Sequence, residues 1–303
     1  MPLEVPTGRR LGWGLAALGM LLVSTDSLFI RLAEASSWDM AFLVALFALP
    51  IMVGLAWRLD DRATSDGIRT HARPLVLIGL LLGTSQIAFI GAVNQTAVAN
   101  VVTIVAAAPI LAALVGWLVF GERTSRRVWI AIAITVVGVF IVVAGSFGSP
   151  TLDGDLLAML AIAAFGVSIN IWRRYPDMSV FVGLAASAAV MLLVSVWFAN
   201  PTDLDSRAWL SALGMGLIFN PLGRICHASA PRYAPASEVA LFTPVETVAA
   251  PIWAFLAFAE RPPGQTVVGA LVIIGGVLYG TLFRGGTSSS AEAFDRTPST
   301  NVQ

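Results

Sequence analysis

Apolar runs of membrane-spanning length recur along this chain from Leu11 to Phe283. No other feature limits its possible folds as severely. The runs cover residues 11–32, 38–57, 74–93, 97–119, 127–144, 155–172, 179–198, 208–228, 236–258 and 265–283. Each is near the roughly 20 residues a helix needs to cross hydrocarbon. In lipid every backbone polar group must be paired internally, so long unbroken runs predict helices rather than strands. Only 12% of the residues are charged, against about 25% in a soluble domain. That is too little polar surface to coat a globule of 303 residues. The chain reads as an all-α integral membrane protein with ten transmembrane helices.

Several functions are excluded early. The formal net charge is +0, which gives no global attraction to nucleic acid. A single cysteine, Cys226, rules out an internal disulfide and a cysteine metal cluster. His71 and His227 are the only imidazoles. No metal and no cofactor is expected. Nucleophile–base motifs and glycine-rich phosphate loops are not apparent, so an enzyme is the least favoured class. Arg9 and Arg10 precede an apolar stretch as in a signal peptide, but that stretch runs past Ile30 without a small-x-small cleavage site. It is read as a retained first helix.

Arginine position predicts sidedness. Arg9, Arg10, Arg58, Arg62, Arg69, Arg73, Arg123, Arg126, Arg127, Arg173, Arg174, Arg232, Arg284 and Arg296 fall at the termini and alternate connections. Arg31, Arg207 and Arg261 fall on the other side, and Arg224 lies within a span. The positive-inside rule then places both termini in the cytoplasm, in the inner (plasma) membrane of the cell. Trp13, Trp38, Trp57, Trp117, Trp129, Trp172, Trp197 and Trp209 sit near predicted span ends, as an aromatic belt requires. Trp253 alone lies well inside one.

The two halves resemble each other. "APILAALVGWLVFGERTSRRVWIAIAITVVGV" runs through spans 4 and 5, and "ETVAAPIWAFLAFAERPPGQTVVGALVIIGGV" through spans 9 and 10. A slide of 138 residues puts Glu122 on Glu260, Arg123 on Arg261 and Gly138 on Gly276, and "QTAVANV" on "YAPASEV". Five spans per half is an odd number, so the second copy is expected to be inverted. Inverted repeats are a transporter architecture, with substrate bound near the midplane between them. The expected organisation is a cytoplasmic N-terminus (1–10), a first five-helix repeat (11–144), a Gly/Pro-rich linker (145–154), a second repeat (155–284) and a disordered cytoplasmic tail (285–303).

The segment "YAPASEVALFTPVETVAAPIWAFLAFAERP", residues 233–262, resembles the second repeat of EamA-type permeases of the drug/metabolite transporter superfamily. The helix ending in "GER" or "AERP", followed by a short turn and a glycine-containing helix, occurs in both halves. The resemblance covers roughly residues 11–283. It implies ten helices around a central cavity and alternating access. Two departures stand out. Val44 occupies a region of helix 2 where the family often has Arg, and Thr247 follows Glu246 where it often has Pro.

Polar residues within the spans are the candidate site. "STDS" at 24–27 interrupts an apolar run, so Ser24, Thr25 and Asp26 would face a wet cavity; alternatively Asp26 pairs with Arg31 near the interface. Ser168 matches Asp26 in the second half, and Asn170 follows it. Glu246 is expected at mid-depth, between Pro244 and Pro251, binding substrate, cation or proton, or pairing with Arg224. Arg224 and His227 share a helix face. Arg224 either snorkels or meets a substrate carboxylate. Gln86 and Asn220 add neutral hydrogen-bonding groups, and Trp253 is a substrate wall or packing. Glu238 is assigned to a helix start, and Glu122 and Glu260 to helix ends rather than to substrate.

The resulting expectation is a carrier exporting a small polar or amphipathic metabolite, an amino acid or related compound, with or without proton coupling. A channel or structural membrane protein is the alternative. The expected partners are the substrate and the bilayer, with no nucleic acid and a monomeric or weakly dimeric assembly.

Overall fold

The computed structural model describes residues 7–59, 71–121, 126–145, 150–175, 178–230, 233, 242 and 244–282. Among these residues the regular structure is entirely helical. The elements are α1 (Thr7–Val23), α2 (Asp26–Leu32), α3 (Ser37–Leu59), α4 (Ala72–Gln95), α5 (Val98–Val105), α6 (Ala108–Phe120) and α7 (Arg126–Ala144). Then come α8 (Leu152–Arg174), α9 (Val180–Ser195), a short 3-10 turn (Pro201–Asp203) and α10 (Ser206–Leu213). A π-helical segment (Gly214–Phe219) leads into α11 (Asn220–Ser229), followed by α12 (Pro244–Phe258) and α13 (Gly264–Leu282).

Among the described residues, Arg10–Leu32, Ser37–Leu59, Ala72–Gln95 and Leu152–Trp172 are long and apolar enough to cross a membrane. Trp129–Ala144, Val180–Ser195, Val245–Phe258 and Gly264–Gly276 are shorter apolar helices. Phe140, Leu193 and Leu271 point outward from such helices and are exposed. A bilayer would cover this apolar surface. The buried core is built from Ile30, Leu43, Ile90, Ile104 and Met215.

Three stretches expected as continuous helices are interrupted, for identifiable reasons. Between α1 and α2, Ser24 and Thr25 donate their hydroxyls to the Leu21 and Leu22 carbonyls at 2.6 and 2.7 Å. Such back-bonding competes with the helical ladder and bends the chain. Between α5 and α6 the chain turns at Ala106–Ala107, just before Pro109, which has no N–H to give one turn back. In the eighth apolar stretch the π-segment precedes Pro221, whose missing N–H leaves the Leu217 carbonyl without its usual helical donor. Pro251, by contrast, lies inside α12 without ending it. The expected start of the ninth span, the linker centre, Glu122, Glu238 and the C-terminal tail lie outside the described residues.

The packing pattern maps onto itself when the halves are exchanged. α1 pairs with α11, and α4 pairs with α8. α8 also touches α5 and α6, while α12 touches α1 and α2. α3 packs on α9, α5 on α12 and α7 on α13. At the α7–α13 crossing, a methyl group on Gly138 would meet Ile273 and the Gly269 carbonyl, and one on Gly276 would meet Thr135 and the Ala131 carbonyl. These neighbours are also 138 residues apart. So are two left-handed residues that end helices, Gly121 (φ 66°) and Ala259 (φ 54°).

Candidate functional site

Two of the helix interruptions, the Ser24–Thr25 break and the π-segment, adjoin one buried polar cluster. Asp26 is the first residue of α2, and only 2% of it is exposed. Its Oδ2 accepts a hydrogen bond from Asn220 Nδ2 at 2.5 Å. Asn220 begins α11 directly after the π-segment, where the wider turn sets its side chain toward α2. One turn along α11, Arg224 Nε donates to Asn220 Oδ1 at 2.9 Å. A carboxylate, an amide and a guanidinium thus form one chain across the α1/α2–α11 interface. The other Asp26 oxygen, Oδ1, is buried without a hydrogen-bond partner. A buried polar atom in that condition calls for an explanation, and a ligand is one.

Glu246 supplies the second carboxylate. It is buried in the first turn of α12. The described part of the helix begins at Pro244, and the expected start of the ninth span lies outside the described residues. A carboxylate in that turn is favoured by the helix dipole. Arg224 lies within electrostatic reach of both Asp26 and Glu246. Among the described residues no direct ion pair joins Arg224 to Glu246; the salt bridges are Arg31–Glu260 and Arg207–Glu34. Two carboxylates and one guanidinium leave the cluster one positive charge short when all are ionised. Thr247 Oγ1 reaches the Val102 carbonyl of α5 at 3.5 Å, a tie that a proline at this position could not make.

Trp253 lies on α12 and has a polar tie. Its Nε1 donates to Ser24 Oγ at 3.0 Å, which fixes α12 against the α1–α2 break. Glu246 and Trp253 are seven residues apart, two turns along one face of α12. His227 sits one turn beyond Arg224, and its backbone packs on Gly19 of α1. Ser168 and Asn170 bond back to their own helix, to the Phe165 and Gly166 carbonyls at 2.7 and 3.0 Å. They lie on α8, Gln86 lies on α4, and these two helices pack on each other. No hydrogen bond among the described residues joins them to Asp26. Among the described residues the Thr25 hydroxyl bonds to the Leu22 carbonyl.

Among the described residues the alternative Asp26–Arg31 pair does not form. Arg31 turns away, donating to the Thr96 carbonyl at 2.7 Å and lying 3.7 Å from Glu260. Glu260 Oε1 in turn accepts from the Val98 amide at 2.8 Å. Below this contact lies Asp155, a fully buried carboxylate the sequence reading passed over. It accepts from Thr96 Oγ1 at 2.9 Å and from Asn100 Nδ2 at 3.2 Å. Thr266 donates to Asn100 Oδ1. Asp39, also missed, accepts from the Asn200 amide and from Ser36 Oγ, each at 2.6 Å. Thr96 and Asn100 carried a hint, as polar residues within the repeated "QTAVANV" segment.

The sequence matches the EamA-like transporter family over residues 10–144 and 152–281. The chain belongs to that family. It is similar to an uncharacterized transporter of Archaeoglobus fulgidus, 24% identical over 281 residues that cover 88% of this chain and 96% of that one. It is also similar to human solute carrier family 35 member G1, 24% identical over 287 residues that cover 87% of this chain and 77% of that one. A solved crystal structure superposes with a TM-score of 0.63 at 17% identity, covering 90% of this chain and 98% of that one, which shows a shared fold. EamA membership and the apolar helices make this a multi-pass membrane transporter rather than an enzyme. The Asp26 cluster therefore lies within a transporter.

Proposed function

We propose that this transporter exports a small polar or amphipathic metabolite, an amino acid or a related compound, by alternating access. The observation that carries this reading is the Asp26–Asn220–Arg224 chain, with Asp26 Oδ1 unpartnered where helices are broken. An ammonium would engage Asp26 Oδ1, and a carboxylate would engage the free end of Arg224. Glu246 then remains as the uncompensated negative charge, and it or Asp26 would take the proton if transport is proton-coupled. The ten-helix arrangement is two inverted repeats, 11–144 and 155–284, joined by 145–154, in the inner membrane with cytoplasmic termini. The self-mapping packing pattern and the arginine distribution support it. The working unit is a monomer or a weak dimer.

The test is flux in proteoliposomes with a panel of amino acids and their relatives. A carrier gives saturable uptake that is accelerated by substrate on the far side. Flux that rises linearly with concentration, without such exchange, indicates a channel and overturns the proposal. Asp26→Asn and Arg224→Gln should each remove the saturable component while leaving the protein folded.

A further inference from the structure

We infer that Arg31 is a gating residue: the far end of α2 latches one end of the bundle shut, and α2 links that latch to Asp26. The inference deepens the carrier reading above. α2 has only seven residues, Asp26–Leu32, separated from α1 by the Ser24–Thr25 break. Asp26 and Arg31 are five residues apart, about 7.5 Å along the axis at 1.5 Å per residue. So short a helix shifts as one body more easily than it bends. Whatever displaces Asp26 displaces Arg31.

The latch joins four places. Arg31 donates to the Thr96 carbonyl at the α4–α5 corner, and it faces Glu260 in the α12–α13 turn. Glu260 holds the Val98 amide at the start of α5. Beneath them Asp155 at the start of α8 fixes Thr96 and Asn100, and Thr266 of α13 closes on Asn100. Under the arginine-derived orientation this is the non-cytoplasmic end, so the structure is closed on that side. The upper contact is suited to release. Arg31 and Glu260 side chains remain 31% and 23% exposed, their separation is 3.7 Å, and Arg31 Nε has no partner. Asp155, by contrast, is wholly buried and fully engaged, so it forms the fixed floor.

The surface on which α2 would slide is also present. Phe29 of α2 stacks on Phe219 with ring centroids 5.0 Å apart and covers Gly214, so it lies along the π-segment. Asn220, the partner of Asp26, follows that segment directly. A substrate group that competes for Asp26 or Asn220 loosens α2 from α11. The latch then opens by withdrawal of Arg31.

Ser27 reports the latch without any substrate. It is buried, on the face of α2 below Arg31 and one turn nearer Asp26. In a Cys226→Ala background, Ser27→Cys is labelled from outside right-side-out vesicles with a membrane-impermeant thiol reagent. Arg31→Gln and Glu260→Gln should each speed labelling at least tenfold, and the reversed pair Arg31→Glu with Glu260→Arg should return it toward the parent rate. Parent-rate labelling in both single variants overturns the latch. Should a single variant not fold, Arg31→Cys with Glu260→Cys is joined by a bis-methanethiosulfonate, which forms two mixed disulfides with loss of methanesulfinate: flux must stop and return on reduction, and unchanged flux also overturns the latch. The labelling needs no transported substrate, so the latch and the carrier reading can fail separately.

Discussion

Asp26→Asn separates a carboxylate that holds the fold from one kept ready for a ligand. In the wild type one oxygen accepts from Asn220 and the other is buried without a partner. A buried unsatisfied polar atom costs about 1–3 kcal/mol, and more when charged. Asparagine keeps the acceptor for Asn220 and removes the charge, so it should stabilise the fold by about 1–2 kcal/mol. At roughly 2–4 °C per kcal/mol, the detergent melting temperature should rise by roughly 2–8 °C. Transport should move the opposite way. Losing one charge-assisted contact of about 1.5–3 kcal/mol weakens substrate affinity by about 10- to 100-fold. Asn220→Ala is the control, because it strips the donor from Asp26 and the acceptor from Arg224 and should lower the melting temperature by several degrees. The assay pairs thermal melting with proteoliposome flux. A lower melting temperature for Asp26→Asn, with flux kept, would show that the carboxylate is structural and refute the reasoning.

Four further outcomes are expected. Glu246→Gln should fold normally, losing no more than about 1 kcal/mol of helix-dipole interaction, while flux between pH 5 and 8 is lost or changes its pH profile. Gly19→Val should destabilise by about 1–3 kcal/mol, read as melting, because its Cβ would meet the Gly223 carbonyl and the His227 amide, each at 2.8 Å. Arg207→Ala should change stability by less than about 0.5 kcal/mol, since its pair with Glu34 is largely in solvent. Asp205 caps α10, and the Arg207 amide and then the Ser206 hydroxyl hold its carboxyl below the ordinary 3.8. A lowered folded-state pKa stabilises above that ordinary value and is lost as pH falls through the folded one. Melting of wild type should therefore drop more steeply below pH 3.8 than that of Asp205→Asn.

The apolar stretches, the repeat spacing and four of the cluster residues were readable in the sequence for one physical reason. Asp26, Asn220, Arg224 and Glu246 are polar where the local solvent is hydrocarbon. Their pairing was not readable. Arg31 follows Asp26 by five residues, too far round a helix to share its face, and only the packed α4–α5 corner offers Arg31 the Thr96 carbonyl. Asp155 lies where a span begins, so it resembles an ordinary helix-end acid; burial under that corner comes from tertiary structure. Pro221, which the sequence reading did not single out, sits in the eighth stretch just after the π-segment. Whether the turn before it widens to π or simply kinks depends on what neighbours demand, here Phe29 against Gly214 and Phe219.

The crossing of α7 and α13 has a mechanical consequence. Gly138 and Gly276 bring the two backbones so close that neither accepts a methyl group without displacing its neighbour. The seam can roll, but it has no room to slide. If the two halves of the carrier rock, this seam is the fulcrum, and the displacement of every other helix grows with its distance from it. A bulky side chain at either glycine would then act like a wedge in a hinge, slowing exchange of the site between the two sides while Asp26, Asn220 and Arg224 keep their contacts.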